Sequence, residues 1–258
     1  WRTRSITNIV SELEYLESEG YTNLYWVDDN FTNNPRRAIK LLHAMRKHKF
    51  DFNWICDQRV DLATAPLLKE MRKAGCRSIA LGIESANQRI IDYITKGITP
   101  KMAVDAAKNA RRANIDFIMG TFIIGLPTES LDEIKQTFHF AQRLEIDIPQ
   151  FHIFGAIPGT DIWDDLVRKG MIDPEKYWEN GVKTLRPPLN VVEKEMHRAY
   201  FRFYTRPRFI LEQIPRTLAS KHRLKIIYSN RKTFTHIRNI KTFADFTFNT
   251  WTHGDYPE

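Results

Sequence analysis

Short apolar runs alternate along the chain with longer stretches in which apolar residues recur every three or four positions. The runs at 24–27, 52–56, 78–83, 117–124 and 148–154 have the length and the β-branched or aromatic content of strands. Between them, 35–47, 65–73, 88–94, 100–112, 131–144 and 161–169 have helical period, with Pro35 suited to a first turn and Gly75 suited to closing a helix. Ahead of the first run, Ser5 is a good N-cap for a helix over 5–17 that lines up Ile9, Leu13 and Leu16. The pattern predicts a β-α repeat that opens on a helix, with a strand expected before it. Right-handed crossovers then leave a doubly wound open sheet or a full or partial β/α barrel. Five visible strands with a first one missing suit the partial barrel.

After Gly170 the alternation stops. Residues 173–190 are rich in Pro, Asn, Gly and aromatic residues and are expected to wrap irregularly, and a helix is expected over 191–203 or somewhat beyond. From there to Trp251, basic and aromatic residues mix without a clear period, so no regular structure is assigned. The division expected is a barrel over 1–170 and a mostly helical or irregular extension over 171–258.

Composition narrows the class. With 258 residues, 42% hydrophobic and 27% charged, the chain reads as globular rather than collagen-like or largely disordered. The longest nearly unbroken apolar run, 117–126, contains Gly120 and Thr121 and is about half of the roughly 20 residues that a bilayer crossing needs. Position 1 is Trp and no signal-peptide core follows it, so the chain is read as a fragment. Cys56 and Cys76 are the only two cysteines, too few for a disulfide framework and too far apart for a short metal-ligand pair. Both are expected to be small buried hydrophobes in a reducing, cytosolic setting. Of the net charge of +8, seven units lie in 201–258, where 11 basic residues face 4 acidic ones. A chain-wide nucleic-acid footprint is therefore not favoured, while the tail suits an anionic partner.

In parallel β/α folds the strand-to-helix loops converge at the carboxyl ends of the strands, where ligands bind. Five loops are read as one site there, beginning at Asp28-Asp29-Asn30, Asp57-Gln58-Arg59, Glu84-Ser85, Gly125-Leu126-Pro127-Thr128-Glu129 and Gly155. Carboxylates would hold an ammonium or sugar hydroxyls, Arg59 a carboxylate, and the glycines would let backbone approach a flat ring. That set suits a zwitterionic nucleoside. Structural readings stay open beside it: Asp28-Asp29-Asn30 as a turn capping the next helix, Glu84 as one half of a buried ion pair, and the Gly-Pro stretches as turn chemistry. His152 is read as core or cavity wall.

Four stretches carry a resemblance: WRTRSITNIVSELEYL at 1–16 with YWVDDNFT at 25–32, GCRSIALGIESANQRIIDYITKGIT at 75–99, FIIGLPTESLDEI at 122–134, and IPGTDIW at 157–163. In order and spacing the chain resembles the radical S-adenosylmethionine (SAM) enzymes, and within them the group whose members often carry a cobalamin-binding domain ahead of the radical SAM domain. The resemblance implies a partial (β/α)6 barrel and a [4Fe-4S] cluster held by a C-x3-C-x2-C loop after the first strand, a loop this sequence does not contain. It implies that Asp28 or Asp29 binds the SAM amino group and that Glu84 and Ser85 reach the ribose hydroxyls. Arg59 would meet the methionine carboxylate, while Ile124, Gly125, Ala156 and Ile157 would line the adenine pocket. Glu129 is left between helix capping and ligand contact. The chemistry implied is reductive cleavage of SAM to a 5′-deoxyadenosyl radical, leading to cobalamin-dependent C-methylation or oxidative cyclisation. The expected partners are an electron-donor protein, a hydrophobic small molecule such as a lipid or tetrapyrrole, and a membrane surface met through 200–232. An RNA-modifying methylthiotransferase and a cluster-less nucleoside-binding module are the alternatives.

Overall fold

The structure is a computed structural model and describes residues 3–177 and 187–229. Ser5 accepts the N–H of Asn8 and starts α1, Ile6–Ser18, which buries Ile9, Val10 and Leu13. There follow β1, Asn23–Trp26; α2, Pro35–His48; β2, Asn53–Arg59; α3, Ala65–Lys73; β3, Cys76–Glu84; α4, Gln88–Tyr93; and α5, Pro100–Arg112. Then come β4, Phe117–Ile124; α6, Leu131–Arg143; β5, Ile148–Ile153; and α7, Asp161–Arg168. Asn34, Thr99, Ser130 and Thr160 cap α2, α5, α6 and α7 with their side chains, so these boundaries were set by local chemistry already visible in the sequence.

All five strands are parallel and pair in chain order, β1-β2-β3-β4-β5. Because parallel crossovers are right-handed and the order never reverses, each helix is laid on the same face of the sheet. This excludes the doubly wound alternative and gives a partial barrel. On the helix face, Trp54, Cys56, Leu81, Phe122 and Phe151 join Leu41, Leu68 and Met71 in the main core. The inner face carries a smaller apolar floor of Ile55, Ala80, Met119 and Ile148, with Phe117 against it.

The C-terminal part shares this core. Helix α8, Leu189–Thr205, adds Val192, Met196, Ala199, Tyr200 and Phe203 to the main cluster, and Phe151 donates its N–H to the Tyr200 hydroxyl at 3.0 Å. Beyond it, where no regular structure was expected, stand two more helices, α9, Pro207–Ala219, and α10, Lys221–Ser229. Pro215 inside α9 reads as a breaker in sequence, and α9 meets the barrel through Gln213 and Arg216, with Phe209 packed on the main core, while Ile210, Leu211, Ile214 and Leu218 stay exposed. Of the irregular stretch 173–190, residues 178–186 lie outside the described residues, as do 230–258.

What draws α9 and α10 in is Asp147, in the turn before β5 and 3% exposed. Its carboxylate accepts from the Ile118 N–H at 2.9 Å, from Arg111 of α5 at 3.0 Å, from Gln213 of α9 at 2.9 Å and from Arg223 of α10 at 3.1 Å. Burial works against the charge, but Arg111 and Arg223 outweigh it and hold the Asp147 carboxyl below its usual range. The Arg223 guanidinium lies 4.6 Å over the Phe117 ring, and Ser220 donates to Asp116 at 2.6 Å. The two helices therefore close the amino-terminal end of the sheet. Asp147→Ala, which strands buried arginines, is expected to destabilise the fold by about 3–5 kcal/mol in urea unfolding, whereas Arg223→Met, an apolar near-isostere, costs clearly less. Equal costs for the two variants would show that Asp147 is not the anchor.

Candidate active site at the carboxyl rim

Register places the inner-face side chains in rows. Asp57, Ala80, Met119 and Ile148 face one another across four strands, and one step nearer the carboxyl ends stand Arg59, Gly82, Thr121 and Gln150. The face thus turns from apolar floor to polar rim within two residues of strand. Strand β2 runs through Arg59, farther than its apolar run, because its ladder to β3 continues to the Arg59–Gly82 pair. Arg59 is accordingly a strand residue on the inner face, not a loop residue.

Glu84 ends β3 just past an irregularity in its pairing with β4, with φ at +66°, and is 6% exposed. A non-glycine residue with a long side chain in the left-handed region is costly, and such strain persists where the surroundings over-determine it. Lys96 supplies that determination: its Nζ donates to Glu84 Oε1 at 2.6 Å, and its carbonyl accepts from Arg59 Nη2 at 3.0 Å. Arg59 also forks onto Asp61 at 3.0 and 3.1 Å. A Cβ on Gly82 would stand 3.1 Å from Glu84 Oε1 and 3.4 Å from Lys96 Nζ, so glycine makes room for the pair to lie over the sheet. Glu84 Oε2 has no hydrogen-bond partner among the described residues. The buried ion pair anticipated for Glu84 therefore exists, with Lys96 rather than an arginine, and it leaves one carboxylate oxygen unused.

Asp28 and Asp29 follow β1 and are exposed, and neither caps α2, a task taken by Asn34. Burial pushes the Tyr25 hydroxyl up to about 12, with the Asp57 and Asp29 charges adding to it, and burial with the Asp29 charge also raises Asp57. The Asp57 and Asp28 charges add to the burial and the Cys76 contact that raise the Cys56 thiol. Tyr25 pairs with Ile55 in register and so lies on the inner face, where its hydroxyl donates to Asp57 Oδ2 at 2.9 Å.

At the third loop, Ser85 is fully buried, with its hydroxyl 3.2 Å from that of Thr137 on α6 and accepting the Asn87 N–H at 3.1 Å. Its side chain sits in the layer between sheet and helix and anchors the loop that follows Glu84. At the fourth, Gly125 takes φ +78° and donates its N–H to Glu129 Oε2 at 2.7 Å, joined by the Leu126 N–H at 3.3 Å. Glu129 is thus bound within the turn, while its Oε1 is buried without a hydrogen-bond partner among the described residues. The side chain of Ile124 is buried in the core and its carbonyl accepts the Phe154 N–H at 2.8 Å, so only backbone edges remain there for a ligand. Ala156 is buried against Trp163 and its carbonyl accepts the Tyr177 hydroxyl, whereas Ile157 is exposed.

Several rim groups escaped the sequence reading. Tyr25 lay inside a strand, Lys96 lay in the 75–99 stretch without an assigned role, and Thr121 and Gln150 lie in no quoted motif; the signal for Lys96 was the need of a buried Glu84 for a cation, here 12 residues on. His152 is exposed on the inner face, opposite Ile123. Cys56 and Cys76 are buried, and burial together with Cys76 raises the Cys56 thiol well above its ordinary range. Among the described residues no group of three or more His, Cys, Asp or Glu could hold a metal ion. The chain's own cysteines do not fit an iron–sulfur cluster. Beside the rim, a cleft of about 390 Å³ runs along the outer edge of β1, lined by Leu13, Leu16, Leu24, Trp26, Val27 and Asp28.

Glu129 yields a pH prediction. Burial outweighs the two backbone donors and raises its carboxyl from 4.5 to about 7. A carboxyl raised on folding contributes stability in full below its unfolded value and loses it as pH rises through the folded value, here from about 4.5 to about 7. Relative to Glu129→Gln, the natural protein is expected to lose about 2–3 kcal/mol of stability between about pH 5 and about pH 7.5. Thermal melts of both across that range check it, and parallel profiles would refute it.

Comparison with known proteins bears on the family and the fold. Residues 1–141 match the model of the Radical SAM superfamily. Over 225 residues the chain is 33% identical to an uncharacterized methyltransferase, PH0819, of Pyrococcus horikoshii, covering 83% of this chain and 48% of that protein. It is 27% identical over 209 residues to the hopanoid C-2 methylase of Rhodopseudomonas palustris, covering 77% of this chain and 40% of that protein. The fold superposes on the radical S-adenosylmethionine methyltransferase TsrM of Kitasatospora setae with a TM-score of 0.60 at 16% identity, over 65% of this chain and 34% of that one. The chain spans about half the length, or less, of the curated relatives it matches. With more than half of its residues inside the family match and its strands in the same partial barrel, the chain belongs to the radical SAM superfamily.

Proposed function

We propose that the carboxyl rim of the inner face binds S-adenosylmethionine, and that the whole protein uses it for radical alkylation of a hydrophobic small molecule, C-methylation foremost. The observation that carries this is Glu84, held in a strained left-handed conformation with one oxygen on Lys96 and the other unused, above a glycine and next to Arg59. Such an acceptor suits the two hydroxyls of a ribose. Arg59 keeps Nη1 without a partner among the described residues and suits the methionine carboxylate. Asp29, whose charge is felt by both Asp57 and the Tyr25 hydroxyl, suits the ammonium and is preferred over Asp28. Backbone at Ile124 and Gly125, with the loop at Ala156 and Ile157, suits the flat face of a base, and Ser85 contributes by fixing the loop that follows Glu84. The apolar floor of Ile55, Ala80, Met119 and Ile148 is buried beneath the rim and suits a site that excludes water.

SAM bound with a reduced iron–sulfur cluster supplies a carbon radical able to attack an unactivated C–H bond. The cysteines for that cluster, and any cobalamin site, are not among the residues described above. The names of the relatives support methyl transfer, and the hopanoid methylase supports an apolar acceptor. A role on RNA gains no support, because Asp147 draws Arg111, Arg216 and Arg223 inward and reduces the basic surface available to phosphates.

The test is SAM binding and 5′-deoxyadenosine formation by the full-length protein, reconstituted anaerobically. Glu84→Gln is expected to weaken SAM binding about tenfold or more, the cost of a charge-assisted hydrogen bond, without changing cluster content. Lys96→Met is expected to weaken it less. Unchanged SAM affinity in both Glu84→Gln and Arg59→Ala would overturn the assignment.

A further inference from the structure

Helix α9 wears its polarity inside out. Its inward side presents Gln213 and Arg216 to the buried Asp147, while Ile210, Leu211, Ile214 and Leu218 form a stripe on the opposite side, with Leu211 69% and Leu218 71% exposed. None of its residues is buried. Helix α10 continues the apolar surface with Leu224 and Ile227. An amphipathic helix normally turns its apolar side to the core, so a stripe this exposed marks a surface that meets something.

Charge chooses the occupant. Between Tyr200 and Ser229 there are seven basic residues and one acidic residue, Glu212. Arg216 and Arg223 are turned inward to Asp147, but Arg202, Arg208, Lys221 and Lys225 are exposed, and Lys221 and Lys225 stand one turn apart on α10 next to Leu224. Two copies of this face would bring like charges together. Lysines edging an apolar stripe instead suit an anionic lipid surface, where the stripe enters the acyl boundary and the ammonium groups stay with the headgroups. Among the described residues no helix is long and apolar enough to cross a membrane, so such contact would be peripheral.

We infer that α9 and α10 dock this protein on an anionic membrane surface through Ile210, Leu211, Ile214, Leu218, Leu224 and Ile227. The contact lies at the amino-terminal end of the strands, where Asp116 and Asp147 hold the two helices, and the candidate active site is at the other end. Docking therefore tethers the protein with its mouth turned toward the aqueous side, and does not feed the mouth from the bilayer. The inference is independent of what the rim binds.

The experiment is co-sedimentation of the full-length protein, without SAM, with phosphatidylcholine vesicles and with vesicles containing about one third phosphatidylglycerol. The expected result is partitioning about tenfold stronger with the anionic vesicles and falling between about 0.1 and 0.5 M salt. The double variant Leu211→Asp/Leu218→Asp, at exposed sites that leave the fold intact by circular dichroism, is expected to lose this binding about tenfold or more, and Lys221→Glu/Lys225→Glu to lose its salt-sensitive part. Equal binding to both vesicle types, no binding to either, or an unchanged double variant would overturn the inference. So would light scattering showing that the natural protein is a dimer and the Leu211→Asp/Leu218→Asp variant a monomer, which would assign the stripe to a second copy.

Discussion

Five parallel strands bonded in chain order leave the connecting helices no choice of side, because every right-handed crossover steps in the same direction across the sheet. One face is then filled by helices and becomes the main core. The other is free to hold a small apolar floor and, two residues farther along each strand, the polar row of Arg59, Thr121 and Gln150 around Gly82. The site follows from this constraint, since side chains from four strands share a row only when their registers advance together.

The two ends of the sheet treat buried carboxylates in opposite ways. At the amino-terminal end Asp147 is saturated, with a backbone N–H, two arginines and a glutamine around it, and it works as a latch for the C-terminal helices. At the carboxyl end Glu84 is held by one lysine and keeps an oxygen in reserve, and Glu129 closes its own turn while leaving one oxygen unpartnered. A saturated charge stabilises; an unsaturated one, costly on its own, is where a ligand has something to add.

Much of the frame was legible in the sequence. The alternation of apolar runs and helical stretches placed five strands, and Ser5 marked a helix start because a capping oxygen acts within three residues. Glu84 stood out because an acid closing an apolar strand needs a partner. Less was legible where partners are distant in sequence: Tyr25 with Asp57, Lys96 with Arg59 and Glu84, and the inward turn of Ser85 toward Thr137. Helices α9 and α10 went unassigned because Pro215 breaks the pattern and because their buried side is chosen by Asp147, not by apolarity.

The sequence alone determined the β-α repeat, the helix caps and the membership signalled by its motifs, since each of these depends on residues within a turn or two of one another. Tertiary structure decided the direction of the sheet, how Glu84 is paired, and that helices α9 and α10 fold back under the barrel. Those outcomes rest on register and on charges brought together across dozens of residues, and no local pattern encodes a distance that only the folded chain creates.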